Sequence, residues 1–218
     1  MKNTIANADC YQAMLDMHSN SFDHALTSPP YNRLRNDVYE YYDDRKRKYD
    51  MWLGDVIEQL IRVTEGHVFF NIQQNYYNRA DLLKTMGMFA DDIVDMFAWE
   101  KSNPKPSAGT SITNAWEFII VFGSEPLISD TTYTKNIITT SVWSARQEGH
   151  KAVMHPNVAK FFIRHFTKKG DLVFDPFMGT GTTAKACIAL DRDYFGCEII
   201  EEYCDISNNH SPEQMELI

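Results

Sequence analysis

This sequence predicts an α/β fold, with a mostly parallel sheet and helices on both faces. Three observations carry that prediction. Short apolar runs bounded by turn residues recur along the chain, segments with helical apolar spacing lie between several of them, and one run ends in a glycine-rich turn where a helix should open. The apolar runs place strands near Phe22–Leu26, Val68–Ile72, Ile93–Trp99, Phe118–Phe122, Leu172–Phe174 and Tyr194–Cys197. Trp52, Val56, Leu60 and Val63 recur at helical spacing, as do Val158, Phe161, Phe162 and His165. A further helix runs from Ala184 to Leu190, with Thr182 and Thr183 as its expected N-terminal caps. The stretches 32–48, 102–113 and 125–151 show neither period and are expected to be binding loops. In such sheets ligands bind beyond the carboxyl ends of the strands.

Composition bounds the class. The chain has 218 residues, 44% of them hydrophobic and 23% charged, which suits one ordinary globular domain spanning 1–218. No apolar run is long enough to cross a bilayer, and the first residues lack the apolar stretch of a signal peptide, so a cytoplasmic protein with no membrane partner is expected. Cys10, Cys187, Cys197 and Cys204 show no metal-ligand spacing and read as reduced thiols, with no metal expected. The formal net charge of −9 argues against indiscriminate coating of nucleic acid but allows a local basic groove.

Two corners carry the chemistry. The first is Thr27-Ser-Pro-Pro-Tyr31, directly after an apolar run. Pro29 holds Ser28 extended, and prolines bring carbonyl acceptors without competing N–H donors. The second is Val173-Phe-Asp-Pro-Phe-Met-Gly-Thr-Gly-Thr-Thr-Ala184. Gly179 and Gly181 let the backbone turn tightly where a helix opens. No lysine follows the second glycine, so this is not a P-loop, and the third glycine of the dinucleotide fingerprint is missing. About 20 residues on, Glu198 ends the next strand, placed to accept from a ribose diol.

Together Ser28-Pro29-Pro30-Tyr31 and Phe177-Met-Gly179-Thr-Gly181 resemble the catalytic and cofactor motifs of the amino-group DNA methyltransferases that use S-adenosylmethionine. The catalytic motif comes first and the glycine motif last, which resembles the permuted beta group of that family. The resemblance implies a Rossmann-like class I methyltransferase fold with a circularly permuted motif order. It implies that Asp9, Asp175, Phe177, Gly179, Gly181, Thr182 and Glu198 bind S-adenosylmethionine, with Asp9 near its adenine, while Ser28, Pro29, Pro30 and Tyr31 hold a flipped base. Asn114–Phe122 and Gly149–Pro156 resemble further segments of the family.

An exocyclic amino nitrogen is a poor nucleophile until acceptors on its protons favour a tetrahedral shape. Ser28 can supply one acceptor and Tyr31 a stacking face. In the family, serine at the lead position goes mostly with cytosine N4 and aspartate with adenine N6, so cytosine is favoured and adenine is the alternative. A silent nucleic-acid-binding module of the same fold is the rival from another class. Methylation at cytosine C5 needs a thiolate after a proline, which this chain lacks.

DNA is the implied partner. Arg33, Arg35, Arg45, Lys46, Arg47 and Lys48 cluster beside the catalytic corner, with Tyr39, Tyr41, Tyr42 and Tyr49 among them as stacking rings. Lys101, Lys105, Arg146 and Lys151 lie in the other two loops. The same first segment carries Asp37, Glu40, Asp43 and Asp44, so a solvated charged loop is the plain alternative. A short target-recognition insertion is expected at 123–149. The resemblance also allows a homodimer and a cognate restriction endonuclease.

Overall fold

The computed structural model describes residues 2–33, 45–104, 113–131, 133–141 and 153–209. Its strands are β1 (Thr4–Asn7), β2 (His24–Thr27), β3 (Val68–Ile72), β4 (Ile93–Lys101), β5 (Trp116–Phe122), β6 (Ile137–Thr140), β7 (Leu172–Asp175) and β8 (Asp193–Glu198). Its α-helices are α1 (Cys10–Leu15), α2 (Tyr49–Val63), α3 (Arg79–Met88), α4 (Pro156–Phe166), α5 (Thr182–Ala189) and α6 (Glu201–Asn208). The strands form one sheet in the order β1-β8-β7-β2-β3-β5-β4-β6. β5 pairs antiparallel with both β3 and β4, and every other pairing is parallel, so β5 alone runs against the rest.

Side-chain alternation splits the core into two layers. Phe69, Val121 and Val173 face one side, where they meet Val158, Phe162 and Phe166 of α4. Their neighbours Phe70, Phe122 and Phe174 face the other, where they meet Leu53, Val56 and Leu60 of α2. Phe22 stacks on Phe174 with centroids 4.4 Å apart, and Phe69 packs on Phe162 at 4.9 Å. Each fully buried ring contributes about 2 kcal/mol, so this register is strongly fixed.

All six expected strands and all three expected helices are present. The structure adds β1, α1, α3, β6 and α6. β6 lies inside the stretch 125–151 expected to be loop. It is a four-residue edge strand whose Ile137 is 56% exposed, too short to show a period. α3 buries only Leu82 and Thr85 and so carries almost no apolar stripe. The expected caps of α5 are also corrected. Gly181 occupies the N-cap position, and the Thr183 hydroxyl turns away to Asp175. All four cysteines are buried and unpaired. Among the described residues no helix is long and apolar enough to cross a membrane, and no His, Cys, Asp and Glu cluster could hold a metal.

Candidate active site

β1, β2, β3, β7 and β8 end at one edge of the sheet. The start of β5 lies there too, because Ile72 pairs with Phe118. The two corners therefore meet although 147 positions separate Ser28 from Asp175 (175 − 28). Chain order reverses between neighbouring β7 and β2, which opens a crevice of about 990 Å³ counted out to its mouth. Ser28, Pro30, Asp9, Asp175, Phe177, Gly179, Thr182 and Glu198 all line it.

The glycine corner is held by two buried carboxylates. Asp175 Oδ1 accepts from the Thr27 hydroxyl at 2.7 Å and the Phe177 N–H at 3.0 Å, and Oδ2 from the Thr183 hydroxyl at 2.6 Å. Burial raises its pKa to about 6, outweighing the three donors that favour the charge. Glu198 Oε2 accepts from the Gly179 N–H at 2.8 Å and Oε1 from the Ile200 N–H at 2.9 Å. Burial raises its pKa as well. Gly179 and Gly181 have φ of 54° and 86°, the left-handed region glycine enters without strain. Asp9 is exposed at the mouth and caps α1 through the Gln12 N–H at 3.0 Å. Trp52 leans on Phe177 at 5.9 Å and forms an aromatic wall. Each Glu198 oxygen keeps a lone pair for a diol, and Trp52 and Phe177 line the same cleft. These residues fit S-adenosylmethionine.

The serine corner ends in a buried polar chain. The Ser28 hydroxyl lies 2.8 Å from the Tyr31 hydroxyl and 3.3 Å from Asn71 Oδ1. Tyr31 Oη donates to Glu117 Oε2 at 2.8 Å, with Asn71 Oδ1 at 3.0 Å. Asn71 Nδ2 donates to Glu117 Oε2 and to the Phe118 carbonyl, which fixes the amide with its oxygen toward the hydroxyls. Lys101 pairs with the other oxygen of Glu117. A carboxylate only accepts, so the phenol proton points at Glu117. The Ser28 proton then points inward, at Tyr31 Oη or Asn71 Oδ1. Burial, and next the Glu117 charge, push the Tyr31 phenol well above its ordinary range, so it keeps its proton.

Several expected roles shift. Tyr31 is 6% exposed, with the Arg33 guanidinium 5.0 Å over its ring, so an open stacking face is not what the structure presents. Pro29 is buried and lies outside the cleft lining. The Pro30 carbonyl is taken by the Tyr49 hydroxyl at 2.6 Å, and Tyr49 is fully buried instead of being a surface ring. Arg45, Arg47 and Lys48 are exposed. Lys46 is half-buried in the cleft lining, with its Nζ 5.1 Å over Trp52. Arg35, Lys105, Arg146, Lys151, Tyr39, Tyr41 and Tyr42 lie outside the described residues. Sequence reasoning assigned no site role to Asn71 or Glu117. A lone polar residue inside each apolar strand, Val68–Ile72 and Trp116–Phe122, was the available signal.

The profile of the N6/N4 DNA methylase family matches residues 22–209. The type II methyltransferase M.MwoI of Methanothermobacter wolfeii is 29% identical over 201 residues, covering 84% of this chain and 30% of its own length. M.BglII of Bacillus subtilis, also a type II methyltransferase, is 27% identical, covering 94% of this chain and 68% of its own. The cytosine-N4-specific PvuII DNA methyltransferase has the same fold, with a TM-score of 0.77 at 20% identity over 97% of this chain and 89% of that one. M1.HpyAVI, solved with S-adenosylmethionine, has a TM-score of 0.67 at 20% identity, over 94% of this chain and 97% of that one. With that match over most of its length, and with both corners on one cleft, the chain belongs to the family of S-adenosylmethionine-dependent DNA methylases.

Proposed function

We propose that this chain methylates the exocyclic amino nitrogen of a DNA base, cytosine N4 in preference to adenine N6. The inward-pointing Ser28 proton carries this reading. It leaves the serine oxygen facing the cleft as a pure acceptor, the partner an amino group needs. S-adenosylmethionine, when bound, supplies the electrophilic methyl group. Ser28 would accept a hydrogen bond from one amino N–H, which favours a tetrahedral nitrogen with its lone pair toward the donor. Catalysis is then mainly positioning in a site shielded from water. The target nitrogen is inaccessible inside a duplex, so the base must be flipped out or single-stranded.

The serine lead supports cytosine over adenine, as does the cytosine-N4 specificity of the PvuII enzyme. Arg33, Arg35, Arg45, Arg47 and Lys48 would take phosphates, and Lys46 would reach into the cleft. Residues 1–218 form one catalytic domain with its recognition segment at 123–149, and β6 occupies part of that segment. The relatives' type II designation supports pairing with a restriction endonuclease. The test is incubation with unmethylated genomic DNA and S-adenosylmethionine, digestion to nucleosides, and mass spectrometry. N4-methyldeoxycytidine is expected. N6-methyldeoxyadenosine would overturn the base assignment, and neither product would overturn the activity.

A further inference from the structure

β3 ends at Ile72 and α3 opens at Arg79. The six residues between them form a loop locked by its own side chains. Asn75 Oδ1 accepts from the N–H groups of Tyr77 at 2.8 Å and Asn78 at 3.1 Å. Asn78 Oδ1 accepts from the Asn75 N–H at 2.7 Å, and Asn78 Nδ2 donates to the Gln73 carbonyl at 3.0 Å. Both amides also reach outside the loop to one acceptor, the Tyr31 carbonyl, at 2.9 Å and 2.8 Å. Arg33 Nη2 adds a bond to Gln73 Oε1 at 2.8 Å. The loop is thus fastened to the serine corner at two residues, Tyr31 and Arg33.

This rigid mount holds two rings in water. Tyr76 is 80% exposed and Tyr77 51%, with centroids 5.3 Å apart and planes at 88°. Aromatic side chains normally bury most of their area, and here the neighbouring asparagine is fully buried while the rings are not. Charge narrows the partner. The chain carries a net −9, yet no acidic residue lies between Glu65 and Asp81, and exposed Gln74 and Arg79 flank the rings. Exposed rings, amide and guanidinium on a segment that carries no carboxylate between Glu65 and Asp81 suit a polyanion with flat faces.

We propose that Tyr76 and Tyr77 form a stacking platform for DNA bases beside the target base. This rests on DNA being the substrate. A base leaving the helix strips its neighbours of stacking, and rings fixed relative to Ser28 can replace it. The surface is continuous with the serine corner through Tyr31, Asn75 and Asn78.

The test is the dissociation constant of the full chain for a labelled mixed-sequence DNA, single-stranded and duplex, at fixed salt. The variants are Tyr76→Ala with Tyr77→Ala combined, and the corresponding Phe pair. The platform predicts that the Ala pair weakens single-strand binding by at least about tenfold, while the Phe pair binds like the unaltered chain. Affinity for S-adenosylmethionine and the melting temperature should stay unchanged in both. Unchanged DNA binding by the Ala pair would overturn the platform, as would an unaltered chain that binds neither DNA. A change of oligomeric state in the Ala pair would overturn it in favour of self-association. Nucleoside analysis run alongside separates the two proposals. Platform-dependent binding without methylated product fails the activity alone, and methylation with Tyr-independent binding fails the platform alone.

Discussion

Asp175 shows how one residue can build a site and load it with energy. Its three donors come from β2, from the turn after β7 and from α5, so a single carboxylate ties three elements together. An aspartate ordinarily has a pKa near 3.9, and burial raises this one to about 6. The folded chain therefore holds this proton more tightly than the unfolded one. The associated stability is fully present below about pH 4 and is lost as pH rises through about 6. A pKa difference of that size corresponds to about 3 kcal/mol. Asp175→Asn cannot ionise, so the stability of the natural chain relative to this variant should grow by up to about 3 kcal/mol from about pH 7 to about pH 4. Urea unfolding at several pH values checks this, and a flat difference would mean that the carboxylate is not held as described. Gly179, Gly181, Asp175 and Ser28 were legible in the sequence because the two motifs mark them. Glu117 and Asn71 were not, because their role exists only once β3 and β5 pair antiparallel. The inward use of the Pro30 carbonyl and of Tyr49 was invisible for the same reason.

At the scale of elements, the turn between β7 and α5 asks most of its sequence. Gly181, at φ 86°, caps α5 and accepts from the Lys185 N–H at 2.9 Å. Gly181→Ala should cost about 1–2 kcal/mol, lowering the melting temperature by about 2–8 °C. Because the turn must move to relieve the strain, affinity for S-adenosylmethionine should fall by at least about tenfold. Gly87 in α3 has open space around its Cβ position and no positive φ. Gly87→Ala should therefore raise stability by about 0.5–1 kcal/mol and leave cofactor affinity alone. Calorimetry and titration on both variants check the contrast. The six strands β2, β3, β4, β5, β7 and β8 were readable as apolar runs between turn residues, and α2 and α4 from their helical apolar spacing. α3 and α6 were not, since neither carries a broad apolar stripe, and β1 and β6 are four-residue edges whose partners lie far away in the chain.

For the whole molecule, a permuted chain order still assembles one cleft. The glycine corner near the end and the serine corner near the start meet because β7 pairs directly with β2. The net charge of −9 coexists with exposed Arg45, Arg47 and Lys48 on the segment that runs into α2. In the proposed reaction this single cleft brings a bound cofactor to an amino group accepted by Ser28. The most direct measurement pairs transfer of labelled methyl from S-adenosylmethionine to DNA with equilibrium cofactor binding, in the natural chain and in Ser28→Ala. In Ser28→Ala transfer should fall by at least about 100-fold, as for loss of a group that acts at the reacting atom, while cofactor affinity stays within about twofold. Equal transfer by both proteins would contradict it, and so would a loss of cofactor binding large enough to explain the lost transfer.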